Sequence, residues 1–91
     1  MTINIEDRNV FPKWSLVDEA DGYELDIIDK TSLLEPMMQF DYDKGVTEAM
    51  LSISKFTVGH EYIFQLFSIE EDGRKSETPI SRVFNIGKKI S

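Results

Sequence analysis

The feature that most constrains the fold of this chain is the alternation of apolar and polar residues with a period of two. It is clearest from Glu61 to Ile69, where Tyr62, Phe64 and Leu66 share one parity. Successive side chains of a strand point to opposite sides of a sheet, so this pattern predicts a strand with one buried face. No window places apolar residues at helical spacing for three turns. The chain is therefore predicted to be all-β.

Turn signals divide the sequence into segments of strand length. Asp21-Gly22, Asp43-Lys44-Gly45 and Asp72-Gly73 interrupt the alternation, and Asp-Gly readily takes the positive φ that a tight turn needs. Seven short strands at this spacing predict a seven-stranded antiparallel sandwich of two sheets. The predicted strands cover residues 2–5, 10–16, 23–28, 37–42, 48–54, 61–69 and 79–86, and residues 87–91 are expected to form a C-terminal tail.

The length of 91 residues predicts a single domain over residues 1–91, with enough buried surface for one core. The absence of cysteine excludes disulfides, zinc–thiolate sites and a thiol nucleophile. The longest apolar stretches are too short for a transmembrane helix. Residues 1–7 lack the basic start and apolar middle of a signal peptide. Either the protein is not exported by that route, or the sequence is part of a longer chain.

The chain is acidic, with 17 Asp and Glu residues against 10 Lys and Arg residues and a net charge of −7. This charge repels the phosphates of nucleic acids and the anionic surface of a membrane, so neither is expected as a partner. Solubility is the simplest explanation of the acidity. Mimicry of DNA and electrostatic steering toward a basic protein are the two alternatives.

Two stretches place a tryptophan and two tyrosines at distinctive positions. Residues 14–27 read WSLVDEADGYELDI, in which a tryptophan, an acidic turn and a tyrosine follow one another; residues 56–66 read FTVGHEYIFQL, in which a glycine precedes the tyrosine that opens an alternating strand. In order and separation, the two stretches resemble parts of the fibronectin type III domain, an immunoglobulin-like β-sandwich. The resemblance extends over residues 8–87.

The resemblance implies roles that suit the residues themselves. Trp14 is the largest apolar side chain and is expected in the core. Tyr62 is expected to bury its ring and bond its hydroxyl to backbone a few residues upstream, as a tyrosine corner does, with Gly59 supplying the sharp connection. The chain departs from the family pattern at Phe56, in place of leucine, and at Val58, in place of proline.

A proline is a further departure from the family pattern. Pro12 lies two residues before Trp14, in a strand that is normally internal to its sheet, and proline cannot donate to the ladder. The first strand is therefore expected to be short, displaced or broken, with residues 1–7 forming a weak first strand or a tail.

Residues that could carry chemistry are few, and no catalytic residue, metal site or cofactor is predicted. His60 is the only histidine and is expected to face solvent in a loop, without the partners of a catalytic triad. Asp41 with Asp43, and the run 70–72, are acidic groups without an EF-hand pattern. Solvated charge is the expected role of both groups, and a weak calcium site is the alternative.

One predicted sheet surface is unusually apolar. If Tyr62, Phe64 and Leu66 face the core, the opposite parity of their strand faces water, and it is mostly large and apolar. Such a patch indicates an interaction site. The alternative is that these residues simply favour strands and are covered by long side chains such as Gln65 or Arg82. Val83 joins this face if Phe84 and Ile86 point inward. The predicted partner-binding residues are Ile28, Ile63, Phe67, Ile69 and Val83.

The resemblance implies a non-catalytic, protein-binding or structural spacer module of a surface or virion protein, and with it an extracellular, cell-surface or virion location. The expected partner is a protein or a second copy of the chain, bound through the outer sheet face. The alternative is a free-standing acidic regulator or inhibitor that blocks a basic partner protein.

Overall fold

The computed structural model describes residues 1–85, and these form two antiparallel sheets packed face to face. In chain order, the strands are β1 (Thr2–Glu6), β2 (Asn9–Lys13), β3 (Gly22–Asp29), β4 (Met38–Asp43), β5 (Leu51–Ser52), β6 (Glu61–Ile69) and β7 (Ile80–Asn85), with a 3₁₀ turn at Ile53–Lys55 after β5. The strand orders are β1-β2-β5 in the smaller sheet and β4-β3-β6-β7 in the larger. This confirms the predicted seven-stranded, two-sheet sandwich; Ile86 and the predicted tail lie outside the described residues.

The centre of the larger sheet is the pair β3 and β6, joined in register from Gly22 opposite Ile69 to Asp29 opposite Tyr62. The predicted parity is confirmed, because the inward residues of both strands are buried. Each buried aliphatic or aromatic side chain contributes about 1.5–3 kcal/mol of transfer free energy. The buried inward residues of this pair are Tyr23, Leu25, Ile27, Tyr62, Phe64 and Leu66.

Trp14 lies in the core as predicted, with 5% of its surface exposed. Its ring packs at a tilt against Tyr23, with centroids 5.8 Å apart, and against Tyr42, with centroids 5.6 Å apart. The indole Nε1–H donates to the carbonyl of Val46 at 3.0 Å, so the one polar atom of the side chain is paired. Trp14 therefore ties the β4–β5 connection to the core.

The predicted tyrosine corner is present at Tyr62. The backbone amide of Thr57 donates to the Tyr62 hydroxyl at 2.7 Å, five residues upstream, and Gly59 in between has a φ of 88°. The Tyr62 ring packs edge-on against Phe56, with centroids 5.1 Å apart. The sequence interpretation missed a matching bond at the other end of the sheet, where the Val17 amide donates to the Tyr23 hydroxyl at 2.9 Å.

The expectation of a broken first strand is wrong. Residues Thr2–Glu6 pair along their whole length with β2, and Ile3 lies opposite Pro12. The carbonyl of Pro12 accepts from the Ala49 amide at 3.0 Å, so the backbone of Pro12 faces the other neighbour, β5. An N–H and a C=O of one residue point to the same side in an antiparallel ladder. The missing donor of Pro12 therefore falls on the β5 side.

The fifth strand is accordingly much shorter than predicted. Ladder pairing with β2 is confined to Leu51 and Ser52, although the alternation of the predicted strand over residues 48–54 is real: Ala49 and Leu51 are buried and Ile53 is half-buried. An isolated bridge between Lys13 and Glu48 continues the contact beyond Pro12. The proline thus shortens the fifth strand and leaves the first intact.

We expect Tyr62→Phe to lower the free energy of unfolding by about 1 kcal/mol, because the half-buried Thr57 amide loses its acceptor. Urea unfolding followed by tryptophan fluorescence measures this loss. Tyr42→Phe is the matched control, since the Tyr42 hydroxyl makes no hydrogen bond among the described residues. Equal losses in the two variants would show that the corner bond contributes nothing specific.

Candidate functional site

The outer face of the larger sheet carries the predicted binding residues, and three of them form one row. Ile28 of β3 lies directly opposite Ile63 of β6, and Ile63 lies directly opposite Val83 of β7. Neighbouring strands lie about 4.8 Å apart, so the row is about 10 Å across. Val83 is 50% exposed, while Ile28 and Ile63 are half-buried. We name these three residues the apolar row.

A polar row separates the apolar row from the remaining predicted residues. Asp26 of β3 lies opposite Gln39 of β4 on one side and Gln65 of β6 on the other, and Gln65 lies opposite Ser81 of β7. Phe67 comes four residues after Ile63 on β6, or about 14 Å along the strand. The five predicted residues therefore form two groups, and the structure does not bring Phe67 and Ile69 to the apolar row.

Phe67 is covered by a lysine from the β6–β7 connection. The Nζ of Lys75 lies 4.3 Å from the centroid of the Phe67 ring and donates to the Glu24 carboxylate at 2.8 Å. Lys75 also bridges Ile69 through the backbone. A cation over an aromatic face is attracted by the ring, so this contact screens Phe67 from partners.

The sequence interpretation suggested other covering residues. Arg82 lies opposite Phe64, on the inward parity of β7, and so does not reach the outer face. Gln65 belongs to the polar row and separates the two apolar groups. Phe84 points inward and packs edge-on against Phe64 at 6.1 Å, which places Val83 outward as predicted. No local sequence pattern indicates that Lys75 covers Phe67, because Lys75 is held there by Glu24, which lies 51 residues away in the sequence.

Two carboxylates lie side by side on this face. Gln39 Nε2 donates to Glu24 at 2.9 Å and to Asp26 at 3.3 Å, and Lys75 binds only Glu24. Asp26 is 4% exposed, an unusual burial for a carboxylate on an outer face. Glu24, Asp26, Gln39 and Lys75 form a continuous polar network, which we name the carboxylate pair network.

The pKa values of the two carboxylates in this network are shifted in opposite directions. Burial, and then a hydrogen bond with Glu24, raise the pKa of Asp26 above its usual value. The hydrogen bond from Lys75 lowers the pKa of Glu24, and the same bond raises the pKa of Lys75. The lysine therefore compensates one carboxylate and leaves the other in an unfavourable environment when ionised.

His60 is not a simple solvent-facing loop residue, and that part of the expectation is wrong. Its Nδ1 lies 2.8 Å from the Asp29 Oδ2, and the other oxygen of Asp29 accepts from the amides of Thr31 and Ser32, both at 2.9 Å. Burial raises the pKa of Asp29, but the hydrogen bonds from His60, Ser32 and Thr31 together hold it below its usual value. This arrangement fastens the β3–β4 connection to the β5–β6 connection.

The other acidic groups do not converge on one another. Asp41 lies on β4 opposite Glu24, whereas in the β6–β7 connection Arg74 pairs with Glu70 and Asp72. Within residues 1–85, no group of three or more His, Cys, Asp or Glu side chains is placed to hold a metal ion. No helix in the described part of the chain is long and apolar enough to cross a membrane.

Comparisons with known proteins support the architecture described above. No family model matches the sequence, and no curated protein matches it. A solved two-domain fibronectin type III segment from chicken tenascin superimposes with a TM-score of 0.75 at 20% sequence identity, over 92% of this chain and 46% of that one. The chain thus spans about half of that segment.

Two levels of classification follow from these findings. The two facing antiparallel sheets, with the buried tryptophan and the tyrosine corner, define an immunoglobulin-like β-sandwich. More narrowly, the fold is that of a fibronectin type III domain. A fold of this kind does not by itself specify a function, which depends on the surface that each domain presents.

We expect Asp26→Asn to raise the free energy of unfolding at neutral pH by up to about 1 kcal/mol, because it removes a buried negative charge and its repulsion with Glu24. The pKa of Asp26 is raised on folding, so its contribution to stability is fully present below the unfolded-state value and is lost as pH rises through the folded-state value. The gain should therefore shrink as acid protonates Asp26 in the native protein. Urea unfolding at neutral and acidic pH measures this. Asp18→Asn, a change of equal charge in the exposed β2–β3 connection, is the control; the same gain there would contradict the assignment.

We expect His60→Ala to raise the pKa of Asp29, because the carboxylate loses one hydrogen bond and keeps the two amide bonds. A lowered pKa stabilises the fold above the unfolded-state value, and this contribution is lost as pH falls through the folded-state value. The variant should therefore lose stability mainly at neutral pH. NMR titration of the Asp29 carboxyl carbon measures the shift, with Val58→Ala as control. An unchanged titration would contradict the pairing.

Proposed function

We propose that this domain is a non-catalytic protein-binding or structural spacer module that contacts a partner protein, or a second copy of itself, through the apolar row. The observation that carries the proposal is the row itself, which joins Ile28, Ile63 and Val83 across three strands of an outer face. Outer faces of antiparallel sandwiches are usually polar. Half-exposed Val83 at the edge makes the row accessible.

Further apolar side chains lie at the same end of the domain. Met37 immediately precedes β4 and is 48% exposed, and Leu33 and Leu34 in the β3–β4 connection are 80% and 97% exposed. Ile28 leads directly into this connection. A contact centred on the apolar row would thus extend over neighbouring apolar surface, as the centre of a protein interface does.

The Phe67 group contributes less to this proposal than the sequence suggested. Its ring already has a partner in Lys75, and a partner protein would have to displace an ion pair to reach it. We therefore centre the contact on Val83. The setting in a surface or virion protein is proposed from the fold alone.

The test compares three single variants of the domain. Val83→Glu should abolish self-association or partner capture while leaving unfolding unchanged, because Val83 is half-exposed. Met50→Glu is the matched control, since Met50 is 67% exposed and is adjacent to β5 of the opposite sheet. Sedimentation velocity measures self-association, and cross-linking with mass spectrometry measures partner contact.

Phe67→Ser is the third variant and separates the two apolar groups. It should keep the fold and weaken the contact less than Val83→Glu does. If neither Val83→Glu nor Phe67→Ser changes sedimentation or cross-linked partners, the outer face is not the interface and the proposal is wrong.

The alternative proposal is an acidic regulator that blocks a basic protein. It is favoured by a shallow cleft between the β2–β3 and β6–β7 connections, which is lined by four acidic residues, Glu19, Glu70, Glu71 and Asp72, and by Arg74, which pairs with Glu70 and Asp72. Contacts of this type weaken steeply with salt, whereas burial of an apolar row does not. The same cross-linking experiment at low and high salt therefore distinguishes the two mechanisms.

A further inference from the structure

Among the strands of residues 1–85, β4 is an edge of the larger sheet, with β3 as its one neighbour. The pairing of β3 with β6 determines which residues of β4 direct their backbone N–H and C=O groups toward β3. The Lys30 amide donates to the Glu61 carbonyl at 2.8 Å, one position beyond the Asp29–Tyr62 pair. Bonded and non-bonded pairs alternate along an antiparallel ladder, so even-numbered residues of β3 bond to β6 and odd-numbered residues bond to β4.

The unpaired backbone groups of the edge can therefore be assigned. The β4 partners of odd-numbered β3 residues are Met38, Phe40 and Tyr42. The amides and carbonyls of Gln39 and Asp41 consequently face away from β3, toward the free edge. Such a row of unpaired groups is a template for an added strand.

The side chains of β4 differ between the two faces. Asp41 and Asp43 are exposed on the outer face, and the Glu24 carboxylate lies beside Asp41 on β3. On the inner face, Met38, Phe40 and Tyr42 are only half-buried. An added strand would thus meet acidic groups on one side and apolar groups on the other.

The inner side of this edge is open because the facing sheet ends early. Beyond Ser52 the chain turns into the 3₁₀ turn, and the Nζ of Lys55 lies 5.8 Å from the centroid of the Phe40 ring. A cleft of about 220 Å³ lies between the two sheets here, lined by Ile27, Met38, Lys55, Thr57 and Tyr62, with the carboxylates of Asp29 and Glu35 also on its wall. The cleft has room for a side chain that enters from the edge.

We propose that the β4 edge binds an extended segment of a basic partner protein as an added strand. Alternate residues of the segment would be basic, facing Asp41 and Asp43, and apolar, packing over Phe40 and Met38. Main-chain hydrogen bonds to Gln39 and Asp41 would align the segment along β4, and the carboxylates of Asp41 and Asp43 would favour basic residues in it. This surface lies at the opposite edge of the sheet from Val83, and the variants that test it, at Gln39, Asp41 and Asp43, differ from those that test the apolar row.

Charge complementarity favours a basic segment over a second β4 edge as the occupant. Pairing of two β4 edges would place Asp41 and Asp43 of the copies beside each other, and like charges directly opposite are destabilising. Among the described strands, β7 is the other edge of this sheet, and the one charged residue over Ile80–Asn85 is Arg82. The edge of this sheet that presents carboxylates is therefore β4.

The experiment uses a synthetic peptide of about nine residues that alternates lysine and valine, with an alternating glutamate–valine peptide as its control. We expect the basic peptide to bind saturably, to protect the amides of Gln39 and Asp41 from hydrogen exchange, and to shift the resonances of β4 in NMR titration. The acidic peptide should not bind. Binding of both peptides alike, or of neither, overturns the proposal.

Two matched pairs of variants test the mode of binding. Gln39→Pro removes an edge donor together with the side-chain amide that binds Glu24 and Asp26, and Gln39→Ala, as an added control, removes that amide alone. Ser81→Pro removes an edge donor at the equivalent position of β7; proline is tolerated where the N–H faces solvent. Asp41→Lys with Asp43→Lys reverses the charge of the edge, and Glu71→Lys with Glu77→Lys makes the same change in the exposed β6–β7 connection. We expect at least about tenfold weaker binding for each β4 variant and less than about twofold for each control.

Circular dichroism establishes that each variant is folded before binding is compared. If Gln39→Pro does not fold, the charge-reversal pair and the exchange protection of β4 still decide the outcome. Equal loss of binding in the β4 and β6–β7 charge variants would show general attraction to an acidic protein, and equal loss in the two proline variants would show an effect of stability; either result overturns strand addition.

Discussion

The pairing of β3 with β6 is the interaction on which the rest of this domain depends. The two strands are central in the larger sheet, and their inward side chains form much of the core. A slip of one residue would turn every buried side chain to the outer face, so the register is strongly specified. Tyr23 and Tyr62 hold the two strands at opposite ends, because each hydroxyl accepts an amide from the connection that precedes its own strand. The remaining strands add to a pair whose register is already set.

The outer face shows how the same register distributes charge. Asp26 and Glu24 are held together on β3, and Lys75, from a connection distant in sequence, pairs with Glu24. The polar row through Asp26 interrupts what would otherwise be one apolar surface. The domain thus keeps an accessible apolar row at one end of the sheet while Lys75 covers the aromatic residue at the other. The register in this way places apolar and charged side chains on different parts of one face.

Much of the fold could be predicted from the sequence because it depends on local signals. The alternation around Phe64 specified which residues are buried, and the spacing of Gly59 and Tyr62 specified the corner. The effect of Pro12 was assigned to the wrong strand, because the sequence does not show on which side the missing donor falls. The cover of Phe67 by Lys75 and the bond of His60 to Asp29 join residues from different connections. Such contacts follow from how the sheets bring loops together, and no local pattern indicates them.

The first and last strands, β1 and β7, each pair antiparallel with one neighbour, and this arrangement has a mechanical consequence. Thr2 lies opposite Lys13 at one end of the sandwich, and Asn85 lies opposite Glu61 at the other. Tension applied at these two residues would pull β1 along β2 and β7 along β6, parallel to the strands. The ladder hydrogen bonds lie across that direction, so several of them would bear the force together rather than open one at a time. Resistance to extension would then depend on the rate of forced unfolding, and the unbroken pairing of β1 beside Pro12 would contribute directly to it.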